Sequence, residues 1–195
     1  MCLIELKGAT KCYGSKQIIH NFDWSFKSGT LTVFKGQNGS GKSTLMKICM
    51  ERTKLDKGVI TVKNNLKCRY MPDFVELPYQ EKPLKFIKWM LSIMKVGIDL
   101  KLLSELDIDL EHPVEHLSKG NKQKLLLYLA LVGRPDVVYL DEPFTALDIK
   151  SIKCVEKRII QLMNEGTCLL VCSHEKNLFK SIKHEVIDFD AFNML

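Results

Sequence analysis

The chain has 195 residues, 46% hydrophobic and 27% charged, with 29 Lys and Arg against 23 Asp and Glu. That length suits one well-buried domain rather than two, and the balance is that of an ordinary globular protein. No apolar run reaches the ~18–20 residues that a bilayer requires, and the opening MCLIELKGATK lacks the long apolar core of a signal peptide. A soluble, cytosolic chain is therefore expected. The net charge of +6 is spread along the sequence and reads as solvated surface, so no nucleic-acid partner is expected.

The opening reads as strands. Phe22, Trp24 and Phe26 alternate with Asp23, Ser25 and Lys27, a period of two. Ser28-Gly29 is a turn, and Leu31-Thr32-Val33-Phe34 is a short β run. The glycines then begin. Residues 43–50 read as a helix, followed by a strand pair around 59–62 and 67–71. Pro83 can open a helix, after which Leu84, Ile87, Leu91 and Met94 recur at helical spacing. Leu100, Leu103 and Leu106 continue this helical section, which covers roughly residues 75–116. After Gly120, the residues Leu125, Tyr128, Leu129 and Val132 form one helical face. The apolar run 137–140 has the character of a strand buried in a parallel sheet. Ile152, Val155, Ile159 and Met163 give a further helix, and 169–172 a further buried strand. Strand–helix alternation points to an α/β fold with a parallel sheet. The seven cysteines are scattered, and Cys168 and Cys172 flank a buried strand with no second pair to complete a zinc site. Free thiols in a reducing compartment are expected.

Three motifs carry chemistry. Gly36-Gln37-Asn38-Gly39-Ser40-Gly41-Lys42-Ser43-Thr44 matches the phosphate-binding pattern G-x-x-x-x-G-K-[ST], between a predicted strand and a predicted helix. Glycines let backbone N–H groups turn toward phosphates, and the helix adds its positive N-terminal dipole. Lys42 would reach the β/γ-phosphates of ATP, and the Ser43 hydroxyl would ligate Mg²⁺. The strand at 137–140 ends in Asp141-Glu142-Pro143. Asp141 can hold the Mg²⁺ directly or through water, and Glu142 can act as general base on a water facing the γ-phosphate. The third motif is Leu117-Ser118-Lys119-Gly120-Asn121, a Ser-Gly turn at a helix start. It can be an anion site, or Ser118 can simply cap the helix.

In this order, the three motifs resemble the ATP-binding cassette (ABC) proteins, whose signature is usually written LSGGQ. The resemblance spans Tyr13 to His174. It implies a P-loop NTPase fold with a RecA-like parallel core, an N-terminal antiparallel β part and a helical subdomain inserted at roughly 75–134, all in one domain over 1–195. It implies that Tyr13 stacks on adenine, that Ala146-Leu147-Asp148 forms the D-loop, and that His174 contacts the γ-phosphate. It further implies a head-to-tail dimer, in which Ser118 and Gly120 of one copy complete the other's phosphate loop. The second member can be another copy of the chain or a related cassette.

Departures are visible. Asp73 stands where the family normally has glutamine. It can meet Mg²⁺ as a hard oxygen ligand but cannot donate as an amide does. Lys119 and Asn121 replace a glycine and the glutamine of the signature, a variant that resembles stand-alone bacterial exporter subunits. The chain stops soon after residues 184–190, as expected of a minimal cassette. The resemblance thus implies the ATPase subunit of an exporter, peripheral on the cytoplasmic face of the membrane beside a separate integral permease. The alternative is a soluble ABC ATPase acting on ribosomes or nucleic acid. The single cassette and the lack of sustained heptads weigh against it.

Overall fold

A computed structural model describes residues 1–73, 77, 80–174 and 179–192. In chain order the elements are β1 (Cys2–Tyr13), β2 (Lys16–Lys27), β3 (Leu31–Lys35), α1 (Lys42–Cys49), β4 (Lys57–Val62) and β5 (Cys68–Met71). Then come α2 (Pro83–Met94), α3 (Leu100–Leu106), α4 (Lys119–Leu131), β6 (Val137–Asp141), α5 (Ile149–Asn164), β7 (Cys168–Ser173), β8 (Glu185–Asp188) and the short α6 (Phe189–Phe192). They form two sheets. One is antiparallel, in the order β2-β1-β4; the other is parallel throughout, in the order β5-β6-β7-β3-β8.

The parallel sheet is buried on both faces, and alternation sorts its side chains into two cores. Leu31, Val33, Val138, Leu140, Leu169 and Val171 face the first core, shared with α2 to α5. Phe34, Val137, Tyr139, Cys168, Leu170 and Cys172 face the second, shared with α1 and the antiparallel sheet. Strands covered on both sides must be apolar throughout, which explains the unbroken runs at 137–140 and 169–172. Cys168 and Cys172 are fully buried, and all seven cysteines are free thiols. Burial pushes the Cys168 thiol up to about 12, so it stays protonated and inert at neutral pH.

Three expectations change. The runs at 59–62 and 67–71 are strands, but they do not pair with each other. β4 joins the edge of β1, whereas β5 joins β6 in the other sheet. A local hairpin is the nearer pairing, but β4 finds the long β1 and β5 finds a matching parallel register on β6. Leu100 is 68% exposed, and α3 instead buries Leu102, Leu103 and Leu106. Helix α4 is not buried along one face only. Gln123, Lys124, Leu125 and every residue from Leu127 to Leu131 are buried, because α2, α3, α5 and the parallel sheet surround it. In the chain, α2, α3 and α4 all lie between β5 and β6. The expected beginning of the helical section near residue 75 falls outside the described residues.

Candidate nucleotide site

β3 delivers the chain into the loop at residues 36–44, and α1 carries it away. Gly36, Gly39 and Gly41 turn it with φ of +148°, +78° and +115°, values that side chains resist. There is little room as well. A Cβ on Gly41 would stand 2.6 Å from Ile18 Cγ2, and one on Gly36 would stand 2.8 Å from Ser40 Oγ. Lys42 is buried, and its Nζ donates to the carbonyls of Gly36 (2.6 Å) and Gln37 (3.0 Å). Two of its three donors thus close the loop on itself, and Lys42 also lines the adjoining cavity, where its remaining donor could serve an anion.

That cavity measures about 330 Å³. Asn38, Gly39, Ser40, Gly41, Lys42, Ser43 and Thr44 line it, together with Tyr13 and Ile18. Tyr13, at the end of β1, is 52% exposed, which leaves its ring a face for stacking. Asp73, Asp141 and Glu142 close the remaining side. Ser43 Oγ donates to Asp141 Oδ2 at 3.2 Å. Burial holds the Asp141 carboxyl above the usual carboxylate range; the Ser43 bond opposes this, and the charges of Asp73 and Glu142 add to it. A hydroxyl and crowded carboxylates are hard oxygen donors, a set that fits Mg²⁺. Among the described residues, no three His, Cys, Asp or Glu side chains form a metal cluster of their own.

Glu142 sits just past β6 with φ of +48°, a backbone strain for a residue with a Cβ. Hydrogen bonds hold it there. Its N–H donates to the Cys172 carbonyl at 3.0 Å, and its carbonyl accepts from Gln123 Nε2 at 3.0 Å. Its carboxylate, mostly shielded, takes Ser173 Oγ at 3.3 Å and lies 2.9 Å from His174 Nδ1. His174 lies just past the end of β7 and lines a second cavity of about 390 Å³, together with Gly36, Gln37, Asn38 and Asp190. The predicted acid and histidine therefore meet at the phosphate loop, although 31 residues separate Ser173 from Glu142 in the chain.

Ser118 and Gly120 line neither cavity. Ser118 caps α4, its Oγ accepting the Asn121 N–H at 3.2 Å. Gly120 is pressed against the 146–148 segment: a Cβ there would lie 2.8 Å from the Ala146 carbonyl oxygen. Lys124 Nζ, 3.1 Å from Asp148 Oδ2, fastens α4 to that same segment.

Residues 19–145 match the family model described as ABC transporter. The chain belongs to the ABC transporter family. Its ABC relatives include the zinc import ATP-binding protein ZnuC of Buchnera aphidicola subsp. Baizongia pistaciae, 30% identical over 94% of this chain and 79% of ZnuC. The ATP-binding protein Uup of Buchnera aphidicola subsp. Acyrthosiphon pisum is also 30% identical, over 97% of this chain, which spans only 33% of Uup. In fold, the chain is similar to a structure from Pyrococcus furiosus described as an ABC transporter ATP-binding protein. The TM-score is 0.80 at 22% identity, covering 96% of this chain and 98% of that one. The family is one of ATP-hydrolysing proteins, and this chain is an ABC ATPase.

Two residues of this ABC domain had escaped the sequence. Gln123 is 3% exposed and braces Glu142 from α4. It stands in the polar run 119–124, so nothing in the sequence sets it apart from its neighbours. Asp190 Oδ1 accepts the Gln37 N–H at 3.0 Å. Nothing in the sequence marks it, because the contact spans 153 residues.

Proposed function

We propose that the chain binds MgATP in the cavity at residues 36–44, hydrolyses it, and drives a separate integral membrane permease. The drive is closure on a second copy or a related cassette. The carrying observation is the Glu142 carboxylate. It is held 2.9 Å from His174 by a strained, braced backbone, beside Lys42 and Asp141.

Each group has a task in this reading. The amides of residues 38–44 and Lys42 bind the phosphates, and Tyr13 stacks on the base. Ser43, Asp141 and Asp73 would hold the magnesium as hard oxygen donors. Magnesium, when bound, neutralises charge on the phosphate oxygens. Glu142 takes a proton from the attacking water, and His174 keeps that carboxylate oriented. Ser118 and Gly120, outside the cavity of their own chain, serve the site of the partner copy. In this scheme residues 75–134 act as a helical subdomain within one domain, and the protein sits peripherally on the cytoplasmic face of the membrane. Among the described residues, no helix is long and apolar enough to cross a bilayer; in this reading the membrane path is the permease's. The export direction expected from the LSKGNKQKL stretch gains no support from ZnuC, which is named for zinc import.

Glu142→Gln tests the chemistry. It should bind a fluorescent ATP analogue as the wild type does, while phosphate release falls by about 10²–10⁴-fold, the usual worth of a general base. Turnover at the wild-type rate would remove Glu142 from that role. Affinity purification from native membranes tests the partner. Recovery of a polytopic membrane protein is expected, and recovery of ribosomes or nucleic acid instead would overturn the transport assignment.

A further inference from the structure

We propose that Asp190 is a positioning residue that clamps the first peptide of the phosphate loop. The inference rests on the nucleotide reading of that loop. β8 runs parallel to β3, with Asp188 opposite Lys35, so the chain leaving β8 arrives beside the chain leaving β3. Asp188 Oδ1 accepts the N–H groups of Asp190 (3.0 Å) and Ala191 (3.4 Å), which bends the backbone into the α6 turn. Phe189 anchors the turn: it is 4% exposed, and its ring lies 6.1 Å from that of Phe34.

The turn presses on the loop. A Cβ placed on Gly36 would lie 3.0 Å from Phe189 Cβ and 3.1 Å from Asp190 Oδ1. The hydrogen bonds explain what this contact does. The Gly36 carbonyl and the Gln37 N–H belong to one peptide plane. Lys42 Nζ holds the carbonyl at 2.6 Å, and Asp190 Oδ1 holds the N–H at 3.0 Å. A cation and an anion therefore grip opposite ends of the same peptide. Glycine at 36 puts little intrinsic restraint on ψ, the torsion that turns this peptide, so the plane is free to rotate unless held. When Lys42 shifts toward a phosphate, its grip on the carbonyl loosens, and Asp190 is the contact that keeps the plane in place. The loop amides then stay aimed at the phosphates. An amide oxygen can accept the same hydrogen bond, so the role needs an acceptor at this position and not a charge.

Asp190→Ala and Asp190→Asn test this against wild type. The readouts are the Kd for a fluorescent ATP analogue with Mg²⁺, KM and kcat for ATP, thermal melting, and hydrogen exchange at the Gln37 amide. Loss of the acceptor should weaken nucleotide binding and raise KM about tenfold, with kcat little changed. The Gln37 amide should exchange faster in the alanine variant, and asparagine should restore both properties. Wild-type affinity and unchanged Gln37 exchange in Asp190→Ala would overturn the clamp. So would equal losses in Ala and Asn that follow their melting temperatures, since those mark a merely structural contact. A wild-type chain that fails to bind the analogue would instead overturn the nucleotide reading itself.

Discussion

Gln123→Met separates bracing of Glu142 from ordinary core packing. Methionine keeps the length and much of the volume of glutamine but has no N–H to donate. Gln123 is 3% exposed, and its Nε2 bond to the Glu142 carbonyl is 3.0 Å long. After the substitution, that carbonyl would keep only the Thr145 N–H at 3.4 Å. Leaving a buried acceptor so poorly paired costs about 1–3 kcal/mol. For a chain of this size each kcal/mol lowers the melting temperature by roughly 2–4 °C. The larger effect should be on catalysis. Glu142 holds φ of +48° only because its surroundings impose it. Once the brace is gone, relaxation moves the carboxylate, and a displacement near 1 Å costs about 10²-fold in rate. Steady-state phosphate release and thermal melting, measured on one preparation, give both numbers. A melting temperature that drops while kcat stays at the wild-type value would refute the bracing role.

Two further predictions concern the cavity and the signature turn. Asp141→Asn should stabilise the nucleotide-free protein at neutral pH while abolishing Mg²⁺-dependent nucleotide binding. Because burial raises the folded carboxyl above its unfolded value near 3.8, folding takes up a proton between the two values. Stability at this group is therefore fully present below the unfolded value and is lost as pH rises through the folded one. The wild-type decline should vanish in Asp141→Asn when melts are compared across that window. Gly120→Ala would drive a Cβ to 2.8 Å from the Ala146 carbonyl oxygen, on backbone that cannot swing aside as a side chain does. A loss of about 1–3 kcal/mol in urea unfolding is expected, as for other overpacked sites. An unchanged midpoint would show that the 146–148 segment yields.

The local chemistry was legible because it is written in consecutive residues. Glycines at 36, 39 and 41 with Lys42 specify a phosphate loop through their own conformational freedom. The apolar run ending in Asp141 and Glu142 specifies a covered parallel strand whose carboxyl end carries acids. Helix α2 followed its leucine spacing and its leading proline. Only the tertiary structure could assign partners. β4 and β5 each read correctly as a strand, yet pairing is chosen by buried area across the whole fold, and it sent them to different sheets. The residues that α3 buries, and the burial of α4 on more than one face, likewise depend on what surrounds them. The same holds at the site. The sequence named Glu142 and His174 separately. The fold put them 2.9 Å apart, added Gln123 behind one of them, and set Asp190 on the loop. Contacts between distant segments leave no periodic trace in a sequence, because each side chain is selected against a neighbour that the chain reaches only after folding.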